Sequence, residues 1–391
     1  MRDTPLPYGK QWIDEDDIAA VAGVLRSDFV TCGPKITELE RVLCDYTGAA
    51  HAVALNSGTA ALHAAVRAAG IGAGDEVITT PLTFMASANC ALYEGAVPVF
   101  ADIDEETYNI DPARIEEKIT PRTRAVVAVD YAGEVVDADA IRALCDAHRL
   151  VFIEDAAHAI GSKHRGRMTG SYADLTCFSF HPVKTVTAGE GGALLCDDGE
   201  RAYRAELFRS HGMEHDASRM TQMTAEQAKE EPWYYEQQML GYNYRMPDIN
   251  AALLISQMQK IDRFIARRKE IAAKYDAAFS GMRGILLQKR APWSDAARHL
   301  YVIRLDTQAL SCTRGEFYHA LRDMRIYSQI HYVPVYYFPE YQRRGYGRGL
   351  CPVAERVYDS ILSIPLFPKM EDRDADDVIE AVETLCRKYR R

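Results

Sequence analysis

The sequence predicts an α/β protein, with a large domain built on a seven-stranded, mainly parallel sheet and a smaller C-terminal α+β domain. Three observations carry this expectation. Seven short β-rich runs alternate with amphipathic segments through the first half of the chain, the alternation stops near residue 197, and a long helical pattern then leads into a second set of strand and helix signals.

The strand runs are HAVAL (51–55), EVITT (76–80), VPVFADI (97–103), RAVVAVDY (124–131), LVFIED (150–155), LTCFSF (175–180) and GALLC (192–196). Between them lie segments such as DPARIEEKI and DADAIRALCDAHR, with apolar residues at helical spacing and acidic residues near their starts, where the helix dipole favours negative charge. Beyond a charged helical stretch, HDASRMTQMTAEQAKEE carries no strand signal and reads as an exposed loop. One long helix is expected over INAALLISQMQKIDRFIARRKEIAAKYDAAF, bridging two domains with the boundary near 255, so that residues 1–255 form the large domain and 256–391 the small one. HLYVIRL, IYSQIHYVPVY and the terminal helix DADDVIEAVETLCRKY build that second unit.

Composition limits the functions available. With 48% hydrophobic residues in 391, the chain can bury a substantial core. Its 46 Lys and Arg against 56 Asp and Glu leave a formal charge of -10, so no broad basic face exists for a nucleic acid. The N-terminal stretch MRDTPLPYGKQWIDEDD has no export signal, and no apolar run approaches membrane-spanning length. Nine scattered cysteines without a CxxC argue against disulfide or zinc frameworks, and the cytoplasm is the expected compartment.

Three motifs carry chemistry. NSGTAALHAAVRAAG turns from strand directly into helix, placing Ser57, Gly58 and Thr59 where unpaired N–H groups suit a dianionic phosphate; an ordinary N-cap reads the same way. LVFIEDAAHAIGS carries Asp155 at a strand's carboxyl end with His158 three residues on. There an acid can meet a cationic ligand group, or simply cap a helix beside a core histidine. DLTCFSFHPVKTVTAGEGG sets Ser179, His181 and Lys184 between two strands, where desolvation would turn the ammonium into a nucleophilic amine; a surface lysine is the plainer reading. Taken jointly, a phosphate seat, an acid, and a lysine 29 residues beyond that acid follow the order in which fold-type-I enzymes hold pyridoxal phosphate.

NSGTAALH, TTPLTFMASAN, EDAAHAIGS, FSFHPVKTVTAGEGG, FRSHGM, GYNYRMPDINAAL and LSIPLFP resemble the blocks of the DegT/DnrJ/StrS nucleotide-sugar aminotransferases over about residues 8–385. The resemblance implies fold type I and pyridoxal 5'-phosphate as cofactor, with Lys184 as its Schiff-base residue and Asp155 paired with the pyridine nitrogen. It also implies His158 near the ring's phenolic oxygen, Phe84 stacked on the ring, and Gly58, Thr59 and Ser179 on the phosphate. Asn243 would reach that phosphate from a second subunit, so a homodimer with shared sites is expected. Some relatives carry histidine in place of the lysine and act as sugar dehydratases; lysine here favours transamination. Thr185 departs from the proline or asparagine that many relatives have after the lysine.

The implied reaction moves an amino group from glutamate to C4 of a 4-keto sugar nucleotide. VDYAGEVVD, FRSHGM and QIHYVPVYYFPEYQ look most like the branch making UDP-4-amino-4,6-dideoxy-N-acetyl-β-L-altrosamine, on the way to pseudaminic acid. His331 and Tyr332 would then approach the sugar nucleotide, although interdomain packing explains the tyrosine-rich run equally well. Arg209 and Arg245 are candidate anion contacts, or structural charges. Alternatives are a 4-aminotransferase for a GDP- or dTDP-linked sugar, and a non-catalytic scaffold of the same fold. A nicotinamide-dependent dehydrogenase is disfavoured because no GxGxxG follows the first strand.

Overall fold

A computed structural model describes residues 2–391. Its central sheet comprises β1 (His51–Leu55), β2 (Glu76–Thr79), β3 (Val97–Phe100), β4 (Thr123–Val129), β5 (Val151–Asp155), β6 (Leu175–Ser179) and β7 (Gly192–Cys196), in the order β1-β7-β6-β5-β4-β2-β3. Only β7 runs against its neighbours, pairing antiparallel with both β1 and β6. The remaining pairs are parallel.

Both faces of this sheet are apolar, which is why its strands read as continuous hydrophobic runs. Val53, Leu55, Val77, Val127, Ile153 and Leu175 pack with helix α1 (Gly58–Ala68) on one side. The alternate residues Ile78, Val126, Ala128 and Phe152 pack on the other. Strands β4 to β7 follow one another across the sheet, and the carboxyl ends of β5 and β6 open onto a crevice that receives the loops after them.

The single long helix expected over 249–279 is two helices, α2 (Asp248–Met258) and α3 (Ile261–Phe279). The break coincides with a polar anchor. Ser256 and Gln257 donate to the fully buried Asp17 at 2.6 and 2.7 Å, and the Lys260 ammonium lies 3.0 Å from the same carboxylate. The segment expected as a plain loop also holds a short helix, Ala225–Glu230, started by a Thr224/Gln227 capping box, and Met213–Glu214 pairs with Glu236–Gln237.

Downstream, β8 (Ile285–Leu287), β9 (Tyr301–Leu305) and β10 (Ile361–Ile364) form an antiparallel sheet in that order. Its core takes Ile271, Tyr275 and Phe279 from α3 and Val378, Val382 and Leu385 from helix α4 (Asp372–Lys388). Leu6 also joins this core and exchanges backbone hydrogen bonds with Arg325 and Tyr327, so the chain's first residues pack with its last third. IYSQIHYVPVY is not a strand; it contributes isolated bridges at Ile326 and Gln329 and a 3-10 turn at Val335–Tyr337.

Candidate active site

A cavity of about 490 Å³ lies at the carboxyl ends of β5 and β6. It gathers Ser57, Gly58, Thr59, Phe84, Asp155, His158, Ser179, Lys184, His331 and Tyr332 from segments up to 275 residues apart.

One wall is the start of α1. Ser57 is its N-cap, its Oγ accepting the Ala60 N–H at 3.1 Å, so the N–H groups of Gly58 and Thr59 in the first turn remain to face the cavity. Close packing brings this turn against β6 and β7. A Cβ on Gly58 would lie 2.8 Å from the Cβ of Ser179, and one on Gly192 would lie 2.3 Å from the Ser57 carbonyl oxygen. Glycine at both positions is therefore what sets Ser179 beside the helix N-terminus.

Asp155 ends β5, in register with Val129 and Cys177. Its Oδ2 accepts the Ser87 hydroxyl at 2.5 Å and its Oδ1 accepts the Ala157 N–H at 3.2 Å. That second bond makes an Asx turn, because a turn and not a helix follows Asp155. Burial raises the carboxyl above its ordinary value, opposed by Ser87, Ala157 and the Lys184 charge. A cationic group beside it would complete that compensation.

Lys184 occupies the turn between β6 and β7. Thr187 Oγ1 and the Ala188 N–H both donate to the Phe180 carbonyl at 3.0 and 2.9 Å, and Asn250 of α2 donates to the Ala188 carbonyl at 2.7 Å, bracing the loop from below. Gly189 reverses the chain at a φ of +80°. The lysine keeps some accessible surface because it lines the cavity, while protein crowds closely around its amine. Desolvation lowers its ammonium to about 8, against the opposing pull of Asp155.

Around this amine stand three imidazoles held neutral. Burial, reinforced by Lys184, pushes His158 well below the ordinary histidine value and His331 down to about 3. His158 Nδ1 accepts the Ala132 N–H at 3.2 Å and its Nε2 lies 3.0 Å from the Tyr332 hydroxyl, so both ring nitrogens are engaged by protein. His331 Nδ1 is 2.8 Å from Ser363 Oγ. The third, His299, was not singled out from sequence. It lines the cavity with its ring 4.5 Å from that of His158, its buried Nδ1 has no partner among the described residues, and burial holds it far below its ordinary value. A lone histidine ahead of a strand gives no sequence signal. Tyr8 and Ser87 were missed for the same reason, reaching the site only through tertiary packing.

Three predicted residues lie elsewhere. Asn243 is exposed, does not line this cavity, and uses its carbonyl to accept from Asn56 at 3.3 Å. Arg209 and Arg245 line a second cavity of about 590 Å³. Arg209 is engaged there by Glu40 at 2.6 Å and the Ala54 carbonyl at 2.8 Å, which makes it a structural charge within the chain. Phe84 does line the first cavity, at its mouth, and is 53% exposed.

Chemically, the first cavity offers N–H groups for a phosphate, a carboxylate for a cationic ring and an enclosed amine for an aldehyde. These are the three attachments that pyridoxal phosphate requires, so the residues present fit that cofactor.

Comparison with known proteins agrees. The model of the DegT/DnrJ/EryC1/StrS aminotransferase family matches residues 11–383. The chain is 42% identical to the spore coat polysaccharide biosynthesis protein SpsC of Bacillus subtilis, over 98% of this chain and 97% of that protein. Among solved structures, Helicobacter pylori PseC, an aminotransferase involved in the biosynthesis of pseudoaminic acid, superposes with a TM-score of 0.90 at 31% identity, covering 99% and 100% of the two chains. Spr1654 of Streptococcus pneumoniae, solved in PMP and PLP forms, superposes in its PMP form with a TM-score of 0.91 at 33% identity, covering 98% and 99%. The chain belongs to the DegT/DnrJ/EryC1/StrS aminotransferase family and is a sugar aminotransferase that works with pyridoxal phosphate.

Proposed function

We propose that this protein transfers the amino group of L-glutamate to C4 of a 4-keto-6-deoxy sugar nucleotide. Its favoured substrate is UDP-2-acetamido-2,6-dideoxy-β-L-arabino-hexos-4-ulose, giving UDP-4-amino-4,6-dideoxy-N-acetyl-β-L-altrosamine. The observation that carries the reaction is the enclosed Lys184 amine facing Asp155 beyond a glycine-tight helix start. Likeness over the whole chain to PseC, an aminotransferase involved in the biosynthesis of pseudoaminic acid, supports this choice of substrate.

When bound, pyridoxal phosphate supplies an electron sink that stabilises negative charge at the donor's α-carbon. The chain supplies the rest. Gly58 and Thr59 N–H groups, with Ser57 and Ser179, bind the phosphate at the positive end of α1. Asp155, steadied by Ser87, holds a proton on the pyridine nitrogen. Phe84, at the cavity mouth, would cover one face of the ring. The Lys184 Nζ would anchor the cofactor, and as an amine whose ammonium is weakened by burial it would carry the proton to and from the donor's α-carbon. His331 and Tyr332 face the sugar.

The phosphate seat is completed by Asn243 from a second copy, which accounts for that residue's exposure away from its own cavity. Mixed dimers of Lys184→Ala and Asn243→Ala chains test this, because one of their two sites combines an intact lysine with an intact asparagine. Activity regained on mixing is expected; two inactive parents that stay inactive together would refute the shared site.

A second substrate reading has its own support, since the 42% identical relative is named for spore coat polysaccharide biosynthesis. Purified protein with glutamate and a panel of UDP-, GDP- and dTDP-linked 4-keto sugars decides between them. Turnover of the UDP-linked N-acetyl sugar is expected, and turnover confined to GDP- or dTDP-linked sugars would transfer the assignment.

A further inference from the structure

The hydrogen bonds around His158 fix where its protons are. A backbone N–H can only donate, so the Ala132 N–H at 3.2 Å requires an unprotonated Nδ1 on His158. An imidazole without a proton on Nδ1 is neutral and carries its single hydrogen on Nε2. That hydrogen points at the Tyr332 oxygen 3.0 Å away, which makes the tyrosine the acceptor of this bond. The hydroxyl hydrogen of Tyr332 is then directed elsewhere, and Tyr332 lines the cavity together with Lys184 and Phe84.

The rings are arranged to hold this direction. Those of His158 and Tyr332 lie 16° from parallel with centroids 5.9 Å apart, and the His299 ring packs 4.5 Å from that of His158. His331 stands edge-on to Tyr332 at 4.8 Å. Burial keeps the Tyr332 hydroxyl protonated throughout the physiological range. Both ring nitrogens of His158 are thus within hydrogen-bond distance of protein groups, Nδ1 of the Ala132 N–H and Nε2 of the Tyr332 oxygen.

We propose that Tyr332 is a hydrogen-bond donor of the active site, aimed into the cavity by the Nε2–H of His158, and that its acceptor is an electron-rich oxygen of the bound molecules. His158 is accordingly a positioning residue that acts through Tyr332. This rests on reading the cavity as the cofactor and sugar site. Two oxygens share the required chemistry: the phenolic oxygen of the cofactor ring and the carbonyl oxygen of the keto sugar.

Two sets of measurements test it. The first needs no cofactor: 15N spectra of imidazole-labelled apoprotein, with His158 assigned by its disappearance in His158→Gln. An unprotonated Nδ1 and a protonated Nε2 are expected; a protonated Nδ1 would overturn the proposal while leaving the transaminase assignment intact. The second compares Tyr332→Phe with the parent holoenzyme. Loss of a donor to the sugar carbonyl should slow the sugar half-reaction about tenfold or more while sparing the glutamate half-reaction. Loss of a donor to the cofactor oxygen should instead weaken cofactor binding about tenfold and displace the pH midpoint of the resting visible band. A Tyr332→Phe enzyme unchanged in all of these would overturn the proposal. His158→Gln keeps both a donor and an acceptor and should preserve most of the lost readout, whereas His158→Leu should reproduce Tyr332→Phe. Equal damage from both histidine variants would contradict the positioning role.

Discussion

The cavity containing Lys184 and the one containing Arg209 and Arg245 differ little in size, at about 490 and 590 Å³, yet they differ in how much buried charge they leave unpaired. In the larger, two of the charged side chains are engaged within the chain, while burial raises the Glu206 carboxyl. Arg209 faces Glu40 and a carbonyl, and Glu214 takes the Tyr203 hydroxyl. In the smaller, burial outweighs pairing. An amine near 8, a carboxyl raised above its usual value and three neutral imidazoles share one enclosure. Volume does not mark the chemistry here; the strained protonation equilibria do.

The sharpest way to break this contrast is Lys184→Ala. Removing anchor and proton carrier together should cut turnover by about 10⁴-fold or more with the far-UV spectrum unchanged, as read by coupled 2-oxoglutarate assay. Asp155→Asn keeps the shape but weakens the hold on the ring proton, and a loss of about 10²–10³ in kcat is expected. Near-parental rates would place the electron sink's partner elsewhere.

The lysine's lowered value predicts a pH dependence of known sign. The unprotonated amine attacks the aldehyde, and its fraction grows as pH rises through about 8. Reconstitution of apoprotein with pyridoxal phosphate, followed by visible absorbance, should therefore accelerate about tenfold from pH 7 to 9 and then level off. An ordinary lysine would still be accelerating at pH 10. The smallest effect belongs to the second cavity. Glu40→Gln should cost about 1–3 kcal/mol in urea unfolding, by weakening its bonds to Arg209 and the Ala54 N–H, while leaving the glutamate half-reaction unchanged.

The same contrast explains what could be read from the chain before its structure. Six of the seven strands lie within their apolar runs and β4 starts one residue ahead of its own, because a sheet covered on both faces demands unbroken hydrophobic sequence. Ser57, Asp155 and Lys184 announced themselves because each ends or follows such a run, and ligands gather where parallel strands end. His299 and Tyr8 carry no such marker. They arrive at the cavity through the packing of the C-terminal third and the N-terminal strap on the large sheet. The tyrosine-rich run divides between both readings: Tyr336 packs 5.3 Å from Phe100 in a buried cluster, while Tyr332 lines the cavity. The break between α2 and α3 was hidden because its cause, the buried Asp17, lies far away in sequence.

Everything asserted about the smaller cavity converges on one nitrogen. Holoenzyme reduced with borohydride and digested should yield the cofactor fixed to the peptide carrying Lys184, and to no other. Recovery of the label on a different residue, or a holoenzyme that takes no label, would contradict the account.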